Sequence, residues 1–141
     1  MFFTIEKFQR RVEELGQRRY FGQQCIAPFT AAPGTLPEDE HYHQVPEKIE
    51  GEPFQLNDSF IGRDRYLWAE KEVTLPCAKE GCQVVGLFNF GETGGGYNSG
   101  FESLLYVDGH PYQGVDTNHN EVFFQGKEGE KVRLTFLLWT G

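Results

Sequence analysis

The pattern of hydrophobic and polar positions predicts secondary structure most clearly between residues 102 and 114. Residues 104–107, Leu-Leu-Tyr-Val, are apolar on both alternating sets, which predicts a strand that is covered on both faces. Asp108 and Gly109 follow, and this dipeptide favours a type I′ turn, in which both central residues need a positive φ. Pro111 cannot donate a hydrogen bond to a ladder, so the return strand is expected to be short or to lie at a sheet edge. The segment predicts a hairpin in a β-sheet protein.

Further segments have the pattern of short strands. Residues 66–75 alternate, and their apolar face holds Leu67, Ala69, Val73 and Leu75. The other strand segments are residues 84–90, 121–125 and 131–139. Because no helical pattern separates them, the predicted fold class is mainly β, an antiparallel β-sandwich or jelly roll with an N-terminal helix. Its core is predicted to occupy residues 60–141.

The N-terminal 20 residues have a helical period instead. Thr4 can cap a helix that runs to about Arg19. Its apolar side chains recur three and four residues apart, at Ile5, Phe8, Val12 and Leu15. We expect a docking helix over residues 1–20 whose apolar stripe covers the sheet of its own chain. The alternative is a helix that binds a partner.

Residues 21–59 are rich in proline and are expected to be irregular, because proline disfavours both helix and central strand. The prolines are Pro28, Pro33, Pro37, Pro46 and Pro53. We expect this segment to wrap around the sandwich, or to pack on a neighbouring domain. Its candidate anchors are Phe29, Leu36, Tyr42, Ile49 and Phe54.

Composition and net charge exclude several classes of function. The 141 residues suffice for one domain, and 13 Phe, 6 Tyr and 17 Gly suit many short strands joined by turns. A net charge of −8 argues against nucleic-acid or anionic-membrane partners, which need a basic patch. The sequence has no apolar run of about 18 residues and no signal peptide. Three cysteines make an odd count, so we expect a cytoplasmic protein without a disulfide framework.

Motifs for catalysis are missing. The glycines at 94–96 are followed by neither a helix nor a Lys-Ser or Lys-Thr pair, so they do not form a phosphate-binding loop. His41 and His43, and Cys77 and Cys82, do not fit a recognised metal-ligand spacing. A nucleophile elbow is also absent. We therefore predict no catalytic residue and no metal ligand in this chain.

The most concentrated polar cluster lies at residues 112–121. We select six candidate contact residues in it: Tyr112, Gln113, Asp116, Asn118, His119 and Glu121. One interpretation is a solvated loop in which Asp and Asn side chains bond to nearby backbone. The other is a contact surface for a sugar or an adjoining domain, since amides, carboxylates and aromatic rings suit hydroxyl-rich ligands.

Several of these segments together resemble a known family. The strands at 66–75 and 84–90 and the hairpin at 102–109 resemble the galactose-binding-like β-sandwich found in many glycosidases. More narrowly, Leu-Leu-Tyr-Val-Asp-Gly at 104–109, Tyr-Gln-Gly-Val-Asp at 112–116 and Asn-His-x-Glu-Val at 118–122 resemble the N-terminal accessory domain of class II α-mannosidases, glycoside hydrolase family 38. The resemblance covers residues 60–141 well and the first 59 residues more loosely.

The resemblance implies an α-mannosidase that removes terminal α-linked mannose from glycans, with a metal-dependent catalytic domain following Gly141. Family members use an aspartate nucleophile and a divalent metal, usually zinc, and open that domain with a His-x-His segment. His41-Tyr42-His43 has this form but precedes the β-domain and lacks the aspartate, so no metal or catalytic residue is carried onto this chain. The apolar strand that runs almost to Gly141 also suggests a longer protein.

Two other functions stay open. The first is a free-standing carbohydrate-binding module that stacks Trp68, Tyr97, Tyr112 or Trp139 on a mannose-containing oligosaccharide. The second is a structural module that forms a homo-oligomer, for which an exposed apolar patch would be the mark. In the accessory-domain interpretation the main partner is the catalytic domain of the same chain, and the 141-residue chain alone is expected to be inactive.

Overall fold

A computed structural model describes residues 4–35, 44–55, 57–91, 100–125 and 129–140. In these ranges the elements are α1 (Thr4–Gln17), β1 (Phe29–Gly34), β2 (Glu52–Phe54), β3 (Arg65–Thr74), β4 (Val85–Leu87), β5 (Glu102–Val107), β6 (His110–Asp116), β7 (Glu121–Phe123) and β8 (Lys131–Thr140). Six strands form an antiparallel sheet of order β2-β1-β3-β8-β5-β6, and β4 pairs with β7 in a two-stranded sheet. The predicted mainly β fold with an N-terminal helix is confirmed.

Strands β3 and β8 form the centre of the large sheet. They are paired over ten positions, from Arg65 opposite Thr140 to Thr74 opposite Lys131. The other edge of β8 pairs with β5. Strand β8 is buried on both faces over residues 134–138, which explains why its sequence is nearly continuous in apolar residues.

One face of the large sheet carries the main core. Leu105 and Phe136 are cross-strand partners there, and both side chains are fully buried. The β4–β7 pair contributes Val122 and neighbouring buried residues to the same core cluster, so it packs over this face. Gly86 lies on the inner side of β4, where a Cβ atom would come within 2.5 Å of the Phe88 ring. A glycine at this position therefore lets the aromatic ring approach the strand.

The opposite face has a smaller core, in which Trp68, Tyr106 and Leu137 pack with Ile49. Ile49 belongs to the proline-rich segment, so residues 44–50 cover this face. The Arg133 guanidinium ties that segment to the sheet, because it donates a hydrogen bond to the backbone carbonyl of Glu47.

The same face buries polar groups. Glu70 forms an ion pair with Arg133 at 3.5 Å. Thr135 lies directly opposite Glu70 on the neighbouring strand and is fully buried. In the part of the chain that the structure describes, the Thr135 hydroxyl has no hydrogen-bond partner.

The predicted hairpin is present. Strands β5 and β6 are joined by Asp108 and Gly109, with φ of 52° and 82°, so both central residues have the positive φ that a type I′ turn requires. Strand β6, which carries Pro111, is an edge strand of the large sheet. An Asp108 carboxylate oxygen accepts a hydrogen bond from the Arg133 amide at 2.9 Å, so the turn is also fixed to β8.

The prediction that residues 21–59 are irregular is wrong in part, because β1 and β2 add two strands to the sheet despite Pro33 and Pro53. Strand β2 pairs with β1 only from Phe29 to Ala31, so within the described ranges no strand lies opposite Pro33 on the outer edge of β1. Pro53 lies in the edge strand itself. Proline is tolerated where one side of a strand needs no ladder donor.

The proposed anchors of this segment are distributed over both faces of the sheet. Phe29 is buried in the main core and Ile49 in the smaller one, while Phe54 packs partly buried against the main core. Leu36 and Tyr42 lie outside the described residues.

The helix forms as predicted, but its apolar stripe is not covered. The four side chains keep between 52% and 75% of their surface exposed: Ile5, Phe8, Val12 and Leu15. The prediction that this stripe packs against the chain's own sheet is therefore wrong. A helical period shows which side chains share a face, but it does not supply the surface that covers them.

Three further predictions concern the lengths of two strands, the cysteines and membrane-spanning helices. Strands β4 and β7 have three residues each, fewer than the predicted 84–90 and 121–125. The three cysteines, Cys25, Cys77 and Cys82, are free and exposed. Among the described residues, helices with the length and apolar character needed to cross a membrane are absent.

Candidate functional site

The six candidate contact residues lie on β6, on the turn that follows it and at the start of β7. This region joins the edge of the large sheet to the two-stranded sheet. Hydrogen bonds connect β6 to β7 and close the turn between them. The structure therefore brings the six residues into one continuous region.

The turn is organised by Asp116. One oxygen of its carboxylate accepts hydrogen bonds from the backbone amides of Asn118 at 2.6 Å and His119 at 2.8 Å. The His119 ring nitrogen Nδ1 lies 3.0 Å from the other oxygen. Asp at the start of a turn commonly bonds to the backbone two residues ahead, as this residue does. The geometry thus shows the local turn predicted for Asp116.

These donors set the electrostatics of the turn. The hydrogen bond from the His119 side chain is the main reason that the pKa of Asp116 lies below its usual value. Desolvation, the second-largest influence, opposes the shift, and the two backbone amides and the electrostatic attraction of His119 add to it. At neutral pH the carboxylate is ionised and already accepts three donors. It is therefore poorly suited to act as a general acid.

Gln113 and Glu121 hold the strands together. The Gln113 side-chain amide donates to the backbone carbonyl of Glu121 at 2.9 Å. The Glu121 carboxylate forms an ion pair with the Arg19 guanidinium at 2.5 Å. Arg19 lies just after α1, so this contact fixes the base of the helix to β7.

Tyr112 is the aromatic member of the cluster. Its hydroxyl donates to the backbone carbonyl of Phe123 at 2.7 Å, and its ring stacks on Phe124 with centroids 5.9 Å apart. Tyr112 is still 41% exposed. One face of its ring is therefore occupied by the protein, and its polar atom is already bonded.

The groups left open to other molecules are at the tip of the turn. His119 keeps 74% of its side chain exposed, and Asn118 is exposed beside it. Together they are an exposed polar pair on the turn.

Among the described residues, clusters of three or more His, Cys, Asp or Glu side chains that could hold a metal ion are absent. His41 and His43, the glycines at 94–96 and Tyr97 lie outside the described residues.

Arg19 and Phe123 belong to this region but were not selected from the sequence. Arg19 lies 102 residues from Glu121, and a pattern along the chain carries no signal for such a contact. Phe123 takes part through its backbone carbonyl, which is independent of side-chain type.

A comparison with models of protein families, a search of curated proteins and a search of solved structures found no match for this chain.

Proposed function

We propose that this chain is the non-catalytic N-terminal accessory domain of a class II α-mannosidase of glycoside hydrolase family 38. The parent enzyme would remove terminal α-linked mannose from glycans in the cytoplasm. The accessory domain would pack on a catalytic domain of the same chain, which would hold the zinc ion.

One observation carries this proposal. The three sequence segments on which the resemblance depends, at 104–109, 112–116 and 118–122, form one interlocked structural unit. The first two are the arms of the β5–β6 hairpin, and Gln113 and Tyr112 bond the second to β7.

The proposal includes a finer description of the fold. The large sheet and the β4–β7 pair would be the two layers of a galactose-binding-like β-sandwich, or jelly roll. It is supported by the core cluster that both sheets share, in which the ring of Phe88, the residue after β4, contacts that of Phe136 on β8 at a tilt, with centroids 4.7 Å apart.

Among the aromatic side chains considered for sugar stacking, buried Trp68 argues against a free-standing carbohydrate-binding module. Trp68 is buried against Ile49, and Tyr112 has its ring on Phe124 and its hydroxyl bonded to Phe123. Stacking on a sugar needs an exposed ring face. The polar tip of the turn, with Asn118 and His119, is better suited to meet another domain.

The reading frame after Gly141 offers a direct test. We expect it to encode a long α/β domain with metal-binding His and Asp residues. Expressed with that domain, the protein should hydrolyse an aryl α-mannoside and lose this activity on chelation, whereas residues 1–141 alone should be inactive. An in-frame stop codon shortly after Gly141, or chelator-resistant hydrolysis by residues 1–141, would contradict the proposal.

Two further measurements separate the accessory domain from a sugar-binding module. Mannose oligosaccharides, titrated to about 10 mM into the ¹⁵N-labelled chain, are expected to leave the amide resonances unchanged, since even a weak millimolar site would shift them. In the extended protein, His119→Ala should weaken docking of the catalytic domain. The same substitution in residues 1–141 should leave stability within about 0.5 kcal/mol, because the side chain is exposed.

A further inference from the structure

The exposed stripe of α1 has the spacing of an interface helix. Ile5, Phe8, Val12 and Leu15 recur at alternating intervals of three and four, which is the pattern of helices that pack against another surface. All four are more than half exposed. Isolated helices of about this length are marginal in water, and an amphipathic helix gains most of its stability from packing its apolar face.

A second exposed apolar surface lies on the outer face of the β4–β7 pair. The register places Val85, Leu87 and Phe123 on this face, and we call these three residues the β4–β7 patch. Leu87 is 47% exposed and Phe123 is 43% exposed. Val122, on the inner face, is fully buried, so the exposure is a property of the outer face alone.

The stripe and the patch lie at neighbouring places in the fold. Glu121 is on the same face as the patch, opposite Leu87, and its carboxylate binds Arg19 at the base of α1. With its base held there, the helix leaves both its own stripe and the adjacent patch uncovered. If each stripe lies on the patch of the other copy, the two contacts are equivalent and the assembly is an isologous dimer.

Charge favours contact between the helix and the β-rich part of a second copy. Residues 4–19 contain five basic and three acidic side chains, a net charge of +2. The rest of the chain has eight basic and eighteen acidic residues, a net charge of −10. The helix is therefore attracted to an acidic body of this kind, whereas that body repels an anionic membrane surface.

Pairing of two α1 helices would not gain a comparable electrostatic attraction. Arg11 and Arg18 border the same edge of the stripe, and in an antiparallel helix pair these edges face each other. In a parallel pair they face Gln9 and Gly16, which carry no charge. Among surfaces of a second copy, the β4–β7 patch fits the helix better than the partner helix does.

We propose that the stripe of α1 docks onto the β4–β7 patch of a second copy of this chain, while the reverse contact forms at the same time. The contact uses neither the Asp116 turn nor a carbohydrate. Its loss would leave the proposed function as an accessory domain untouched.

Sedimentation velocity between about 1 μM and about 500 μM tests the proposal, since weak interfaces associate in this range. We expect the mass to rise with concentration from 16.2 kDa toward twice that value. Phe8→Glu and Phe123→Glu should each weaken association by at least about tenfold, because each places a charge in the centre of the contact. Ile61, which is 79% exposed and outside both surfaces, supplies the matched control, and Ile61→Glu should associate normally.

A mixture of Phe8→Lys and Phe123→Glu copies identifies the contact itself. In the mixed dimer one contact is native and the other sets the new ammonium group against the new carboxylate, so the mixture should associate more strongly than either variant alone. Loss of association in the helix variant but not in the patch variant would show helix–helix pairing and overturn the proposal. A mass of one chain at every concentration, or an equal effect of Ile61→Glu, would overturn it as well. Circular dichroism checks that each variant is folded.

Discussion

The hydroxyl of Tyr112 donates a hydrogen bond to the backbone carbonyl of Phe123 and so joins the edge strand of the large sheet to the two-stranded sheet. This bond lies between two strands that do not pair with each other. Together with the amide of Gln113 it holds β7 beside β6. The small sheet is thereby attached to the large one by side chains as well as by the core.

Removing this hydroxyl should weaken the attachment. Tyr112→Phe is expected to lower the free energy of unfolding by about 0.5–1.5 kcal/mol, the usual net contribution of one hydrogen bond. Urea unfolding followed by fluorescence measures the change. Tyr20→Phe is the matched control, since the described contact of Tyr20 is the Arg19 guanidinium over its ring, which a phenyl ring also offers. Equal losses in both variants would contradict a specific role for the Tyr112 bond.

The main core depends on the contact between Leu105 and Phe136. Leu105→Ala should cost about 2–5 kcal/mol, because it leaves a cavity between residues that are fully buried. Phe136→Ala is expected to cost at least as much, about 3–5 kcal/mol. Ile61→Ala, at an exposed position, should change stability by less than about 0.5 kcal/mol. A loss well under 1 kcal/mol for Leu105→Ala would mean that the β5–β8 core is assigned incorrectly.

The buried hydroxyl of Thr135 should reduce stability. A buried polar group without a partner costs about 1–3 kcal/mol, and valine has the same shape without the hydroxyl. We therefore expect Thr135→Val to raise the free energy of unfolding by about 1 kcal/mol. Thr140 provides the contrast, because its hydroxyl accepts a hydrogen bond from the Arg65 amide at 3.0 Å. Thr140→Val should be destabilising, and the same sign for both substitutions would refute the assignment.

The lowered pKa of Asp116 predicts a pH dependence. A group whose folded pKa is depressed contributes stability that is present above its unfolded pKa, about 3.9, and lost as the pH falls through the folded value. The stability difference between the native chain and Asp116→Asn should therefore shrink as the pH is lowered from 5 through this acidic range.

The cause of the shift can be tested separately. His119→Ala removes the largest contribution, so the pKa of Asp116 should rise toward its ordinary value. Carboxyl ¹³C chemical shifts, followed by NMR as a function of pH, report this pKa directly. An unchanged Asp116 titration in His119→Ala would show that the backbone amides alone hold the carboxylate.

Local features of the fold were predictable from the sequence. The β5–β6 hairpin was predictable because Asp108 and Gly109 are residue types that adopt positive φ readily. The apolar face of β3 was predictable because the alternation of apolar and polar residues marks which side chains share a face. In both cases the information lies within a few neighbouring residues.

Features that depend on distant surfaces were not predictable. The period of α1 marks a stripe but not its cover, and the ion pair between Arg19 and Glu121 spans 102 positions. Pro33 and Pro53 argued against strands, yet a missing amide donor is tolerated where a strand edge needs no ladder bond, and among the described residues no strand pairs with the outer edge at either position. The Asp116 turn could be predicted as a local motif, whereas the use of Tyr112 and Gln113 to hold a second sheet could not.

The central position of β8 has a consequence for synthesis. Arg65 and Thr140 are partners across β3 and β8 although they are 75 residues apart, and such distant pairings slow folding. In the folded sheet β8 alone joins β2-β1-β3 to β5-β6, so any partial sheets that form before β8 has left the ribosome have unprotected inner edges. The nascent chain is then exposed to edge-to-edge aggregation, and its production in cells should depend on chaperones that shield those strands.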